Sequence, residues 1–298
     1  MMETLQLILK ITLVIFMVGN LLDMGLRLKL SEAWAGLRNS RFVFFSLLWG
    51  FVICPALAWL LAHFIPIAHP YAIGMVLLGM TPCAPFLPPM VERARGDMGY
   101  TAAFMLLASV VTVVYMPLTV PFMVKGLSAS AWTIAKPLLF LLLVPLAIGI
   151  AIHHHSGPLA AKLHPPVKKF TGLDTILMLI LCVVVYGKEF LGAVGSYAIG
   201  TQILFFSFAA VAPFFLSFGL PQGQRSVLAL GMATRNLGAA FAPLFAVHDV
   251  DQRAIVMVAL GVLMQASFSF GAATWFGRLA TRVETREKVP AGSEVSKA

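Results

Sequence analysis

Apolar runs of about 18 or more residues recur along the whole chain. A run of that length is what an α-helix needs to cross the hydrocarbon of a bilayer. Composition points the same way: 60% of the 298 residues are hydrophobic and only 11% are charged, whereas a soluble domain carries roughly 25% charged residues. A transmembrane barrel would show short alternating segments, but these runs are continuous. The pattern predicts an all-α membrane protein with nine transmembrane helices, at about 5–26, 43–65, 71–91, 100–124, 132–152, 170–187, 198–220, 226–247 and 254–277. Residues 1–28 are apolar for too long to be a cleavable signal and read as the first span.

The 21 lysines and arginines are unevenly shared among the connections. One alternating set, with the C-terminal tail, holds fifteen, among them Arg27, Lys29, Arg38, Arg41, Arg93, Arg95, Lys168 and Arg225. The other set holds Lys125, Lys188 and Arg253. The bias predicts a multi-pass chain with its N-terminus outside and its C-terminus in the cytoplasm; the expected location is a bacterial inner membrane. The net charge of +9 then serves orientation and contact with anionic lipid, and no nucleic-acid partner is expected. Lys10 and Lys136 fall near the outer ends of their spans, close enough to snorkel to the interface. Cys54, Cys83 and Cys182 sit in apolar runs without metal-ligand spacing and read as packing residues. The polar stretch 153–169, with His153, His154 and His155 adjacent, reads as a solvated loop, and the tail at 281–298 as a cytoplasmic polar segment.

Two stretches repeat. Gly79-Met80 and Gly231-Met232 are 152 residues apart. The same offset brings span 43–65 beside 198–220 and span 100–124 beside 254–277, while the first span maps less well. One offset that aligns several spans predicts two copies of one unit, about 5–124 and 132–277, within a transporter domain of residues 1–280. The connections between them make the copies antiparallel, a construction used by secondary transporters. Each copy carries a disturbed helix at the matching place. "GMTPCAPFLPP" (79–89) holds Pro82, Pro85, Pro88 and Pro89, and proline removes a backbone donor and clashes with the preceding turn. In "GMATRNLGAA" (231–240), Gly231 and Gly238 flank Thr234-Arg235-Asn236. Interrupted helices in corresponding positions point to a binding site near the midplane.

These segments resemble the bile acid:sodium symporter family. Its first-half signature runs roughly P-G-G-x-x-S-N, followed by nine residues ending A-R-G-D or A-R-G-N. Pro82 takes the leading proline, and Ala94-Arg95-Gly96-Asp97 stands at the matching distance. "DMGLRLKLSEAW" (23–34) is similar to the glycine-rich end of an early helix, and "GMATRNLGAA" to the E-x-x-x-Q-N-x-G stretch, with Asn236 and Gly238 in register. The resemblance covers nearly the whole chain, without the family's first helix. It implies two discontinuous helices crossing near the midplane and two sodium ions held by oxygens from both. The family's cation positions are altered here. Its serine and asparagine match Leu87 and Pro88, a later serine matches Thr101, and a threonine matches Met105. Its glutamate matches Gly231, and its glutamine matches Arg235. Hard cations want several oxygens and a thioether is soft, so sodium binding at these positions is not expected. No cofactor or other metal is expected either.

A charged side chain inside a span needs compensation, and three readings of Arg235 stay open. It is a structural partner for a buried carboxylate or for open carbonyls. It replaces a lost sodium ion and ties the crossing helices. Or its planar fork pairs an anionic substrate. Asp23 is the internal partner expected for an ion pair with Arg235; the competing reading gives Asp23 to water or to Arg27 at i, i+4. Asp174 reads as structural. Candidate substrate-binding residues are Arg235, Asn236, Thr234, Thr81, Pro82, Asp23 and Asn20. The function expected is a secondary transporter that moves a small organic anion by alternating access without the usual sodium sites. The alternative is a sodium-coupled symporter whose ligands have moved, for instance to Thr81, Thr101, Thr112 or Asn236. An enzyme is not expected: no H-E-x-x-H, no G-x-S-x-G with a base and no paired intramembrane aspartates occur. A channel would need rings of repeated ligands.

Overall fold

In the computed structural model, which describes residues 2–124, 130–247 and 250–288, the chain is all-α. Among those residues the only strand-like pairing is an isolated bridge between Pro82 and Arg235. The helices are α1 (Met2–Arg27), α2 (Leu30–Leu37), α3 (Ser40–Phe64), α4 (His69–Gly79), α5 (Leu87–Arg93) and α6 (Met98–Met123) in the first part. They are followed by α7 (Ala131–His155), α8 (Gly157–Val185), α9 (Gly187–Ala193), α10 (Ala198–Leu216), α11 (Gln222–Ala233), α12 (Leu237–Ala246) and α13 (Gln252–Lys288).

Local chemistry sets the helix ends. Side chains of Asn39, Asp97, Ser130, Ser156 and Asn236 each accept a backbone N–H from the first turn they precede, satisfying donors that otherwise have no partner in a dry environment. Proline shapes the interiors. In α3 a π-turn at Trp49–Ile53 comes just before Pro55, and in α7 another at Leu139–Leu143 comes just before Pro145. The wider turn absorbs the carbonyl that a proline ring would strike one turn back.

Six helices are long and apolar enough to cross a membrane, and α8 with α9, bent by 84°, makes a seventh if the pair is one span. These correspond to seven of the nine spans expected from the sequence. The other two, 71–91 and 226–247, are each in two pieces, α4 with α5 and α11 with α12, and no piece alone is long enough to cross. Large apolar side chains such as Phe64, Phe122, Leu191 and Phe218 stay exposed around the bundle, an outer surface suited to acyl chains and not to water. The protein is an integral, multi-pass membrane protein.

Two expectations change. The stretch 153–169 is not a loop: His153–His155 end α7, and Gly157 begins α8, which runs through Pro165 and Pro166. The offset of 152 carries Met2–Arg27 onto 154–179, which falls almost wholly within α8. The polar tail also begins inside α13, which continues to Lys288; residues 289–298 and Lys125 lie outside the described residues.

Helix α1 packs along α7 and α8. The approach to α7 is close because Gly25 and Gly149 face each other: a Cβ on Gly25 would lie 2.9 Å from the Gly149 Cα. Of the four helices of the broken spans, α12 touches α1 and α7, while α4, α5 and α11 pack on the group formed by α3, α6, α10 and α13.

Candidate functional site

The site grows out of the two helix breaks. Helix α4 stops at Gly79, and the chain stays non-helical until α5 resumes with Pro88 and Pro89 in its first turn, where a missing N–H costs nothing. Helix α11 stops at Ala233, and Thr234 is extended. Asn236 then caps α12 by accepting from the Ala239 N–H at 3.1 Å. Open backbone in a membrane interior must find partners, and here each break supplies the other. Asn236 N donates to Thr81 O at 2.8 Å and Cys83 N to Thr234 O at 2.9 Å. Ala84 N donates to the Thr234 hydroxyl at 3.3 Å. Cys83 is held at φ 75°, a left-handed conformation that costs a side-chain-bearing residue about 1–2 kcal/mol.

Arg235 lies in this seam with 0% exposure. Its backbone N–H donates to Gln265 Oε1 at 2.6 Å and its Nη1 to Gly79 O at 3.3 Å. The guanidinium carbon sits 4.8 Å from the centre of the Phe205 ring, within range of a cation–π attraction. Gly79 O belongs to the end of α4, where the helix dipole presents negative charge. Among the described residues Nε and Nη2 have no acceptor.

Beside the seam is a cavity of about 330 Å³. Asn20 of α1, Thr175 of α8, Asn236 and Gln265 give it polar groups, while Phe16, Met17 and Phe86 give it apolar walls. Arg235 borders the cavity, but its charged group is turned to Gly79 and Phe205. Of the residues expected to bind substrate, the structure therefore brings Asn20, Asn236 and Arg235 to one cavity. Thr81, Pro82 and Thr234 form the backbone seam beside it; the Thr81 hydroxyl bonds its own helix at Leu78 O, 3.2 Å, and the Thr234 hydroxyl does so at Leu230 O, 2.9 Å.

The ion pair expected between Asp23 and Arg235 does not form. Asp23 lies one turn beyond Asn20 on α1, and its Oδ2 accepts from Arg27 Nη2 at 2.8 Å while His164 Nε2 stands 3.1 Å from its Oδ1. Arg27 also reaches Pro85 O in the first break at 3.2 Å. The i, i+4 reading of Asp23 holds, and His164 is the partner the sequence hid, because residues 157–169 read as a loop and not as helix.

Of the altered cation positions, Pro88, Thr101 and Met105 border a cavity of about 430 Å³, whereas the space at Gly231 is filled. A Cβ on Gly231 would fall within the Phe104 ring, 2.8 Å from its Cδ1. Leu87, Phe104 and Met105 are buried, and the Thr101 hydroxyl donates to Asp97 O at 2.8 Å. Among the described residues no cluster of three or more His, Cys, Asp or Glu could hold a metal ion.

Gln265 and Phe104 were missed in the sequence. Gln265 is the lone amide side chain within 254–277, a signal that was available. Phe104 gave none, since a phenylalanine in an apolar run has no distinguishing mark.

No curated protein matches the chain. The profile of the Sodium Bile acid symporter family matches residues 12–193, which is more than half of the chain and includes the first break. The chain belongs to the Sodium Bile acid symporter family, whose members are transporters and not enzymes.

Proposed function

We propose that this chain is a secondary carrier for a small organic anion with an apolar body, working by alternating access without the family's sodium sites. The family name supports an organic anion as cargo. The observation that carries the sodium-free reading is the Phe104 ring standing where a side chain at Gly231 would project. Arg235 then acts as a fixed internal cation: it bonds the carbonyl end of α4 and stacks on Phe205, tying the breaks together as an ion would. Its burial favours this role over direct pairing with substrate.

In this reading α4 with α5 and α11 with α12 are two broken spans, related by the inverted repeat, that cross at the Pro82–Arg235 bridge. Helices α1, α7 and α8 rock against that block. Three cavities lie between the two layers: the central one, one of about 430 Å³ bordered by Arg27, Lys168, Pro88 and Thr101, and one of about 750 Å³ bordered by Lys10 and Lys136. The positive-inside bias puts the Arg27 end at the cytoplasm.

A second reading, a sodium symporter with relocated ligands, is favoured by one observation, the buried Thr112 hydroxyl without a partner. Uptake of carboxylates into proteoliposomes, with sodium replaced by potassium or choline, separates the two. The carrier reading expects unchanged uptake; uptake abolished by sodium removal overturns it.

A further inference from the structure

The Arg235 guanidinium beside the central cavity is already committed to Gly79 O and the Phe205 ring. An anion carrier nevertheless needs accessible positive charge. It is found in a cavity of about 750 Å³ at the end of the bundle where α1 and α7 begin. Lys10 from α1 and Lys136 from α7 both border it, and both are exposed. Among the described residues no acidic side chain lines the cavity, and neither lysine forms an ion pair or side-chain hydrogen bond. Trp132, Phe140 and Phe245 supply broad apolar walls. Two uncompensated ammonium groups beside low-dielectric walls concentrate positive potential in that space.

We propose that this cavity is an anion-binding vestibule, in which Lys10 and Lys136 together hold the charged group of an amphipathic organic anion while its apolar body rests against Trp132, Phe140 and Phe245. The inference rests on the carrier reading and gives its substrate a first station. Met17 lines both this vestibule and the central cavity, and its Cγ lies 3.0 Å from where a Cβ on Gly238 would be. Its unbranched, flexible side chain stands between the two chambers, against the first turn of α12. The snorkelling expected of these lysines needs no shared cavity; their convergence from two helices is what a ligand site requires.

The test is direct binding of 2-naphthoate, a carboxylate on a rigid apolar body, and of neutral 2-naphthamide. Both are titrated against the full chain in nanodiscs of phosphatidylcholine, with and without phosphatidylglycerol. Each charge-assisted contact is worth about tenfold in affinity or more. The proposal expects naphthoate to bind at least about tenfold tighter than naphthamide. Lys10→Gln and Lys136→Gln should each weaken naphthoate about tenfold and leave naphthamide unchanged, and Lys→Arg at either position should retain binding. It is overturned if naphthoate does not bind, if either Gln variant binds it like the parent, or if phosphatidylglycerol displaces it completely, since the lysines would then be lipid anchors. Retained sodium-independent uptake in Gln variants with unchanged naphthoate affinity removes the vestibule alone; absence of uptake by the parent chain removes the carrier reading.

Discussion

The replacement Gly231→Ala tests the packing on which the sodium-free reading stands. The added methyl would meet the Phe104 ring, with Cδ1 and Cζ 2.8 Å from the new Cβ. Phe104 is buried with 1% exposure, so the ring has no open space into which to swing. Overpacking of this kind costs about 1–3 kcal/mol, and the depth of the overlap argues for the upper end. Against it stands the better helix propensity of alanine, about 1 kcal/mol over glycine within a helix. The net expectation is a loss of about 2 kcal/mol. Phe104→Ala alone should cost about 3–5 kcal/mol through the cavity it leaves. In the double variant the methyl enters that cavity without clash, so the combined loss should fall short of the sum by about 1–3 kcal/mol. Unfolding in mixed micelles, followed by circular dichroism with all four proteins in one detergent, reads this cycle. If Gly231→Ala is as stable as the parent and the two changes simply add, Phe104 does not occupy this space and the argument against an acidic ligand here fails.

Further expectations follow from contacts at the seam and the helix layer. Gln265→Leu removes the acceptor 2.6 Å from the Arg235 N–H and leaves that donor buried, so stability should fall by about 1–3 kcal/mol, measurable in the same micelle assay, with Gln265→Glu retaining most of it. Gly25→Val places side-chain atoms against the Leu146 carbonyl and Gly149 and should separate α1 from α7, detectable as loss of monodisperse protein on size exclusion. Asp23→Asn removes the carboxylate that accepts from Arg27 and leaves Arg27 to the backbone carbonyls of Asp23 and Pro85; uptake into proteoliposomes should change while the affinity for 2-naphthoate in nanodiscs stays the same. A loss of naphthoate binding in that variant would show that the two ends of the bundle are not separable in this way.

The membrane class and the positions of the long helices were legible in the sequence because hydropathy measures directly what a bilayer selects. The first break was legible too, since Pro82 and Pro85 fall between the end of α4 at Gly79 and the start of α5 at Leu87. Residues 157–169 were not: Lys162, His164, Pro165, Pro166, Lys168 and Lys169 read as a solvated connection, and only packing of α8 along α1 shows the stretch to be helix. That error also concealed the His164 contact with Asp23. The partner of Arg235 was legible only by type. Open carbonyls were among the readings, but that the acceptor is Gly79 O and the ring is Phe205 depends on how the two breaks dock, which no local pattern encodes. Orientation of the termini and the antiparallel relation of the two copies rest on charge bias and offset and stand as parts of the proposed carrier.

The bridge between Pro82 and Arg235 has a consequence for how the protein breathes. Its stretches are the least regular backbone in the interior, the kind of segment that ordinarily exchanges amide protons readily. Here the Cys83 and Asn236 amides are each fastened to the opposite half of the chain, so neither can open unless both halves part. These two amides should be among the slowest to take up deuterium, outlasting many in the long helices, and the middle of the molecule should behave as a rivet around which the periphery turns.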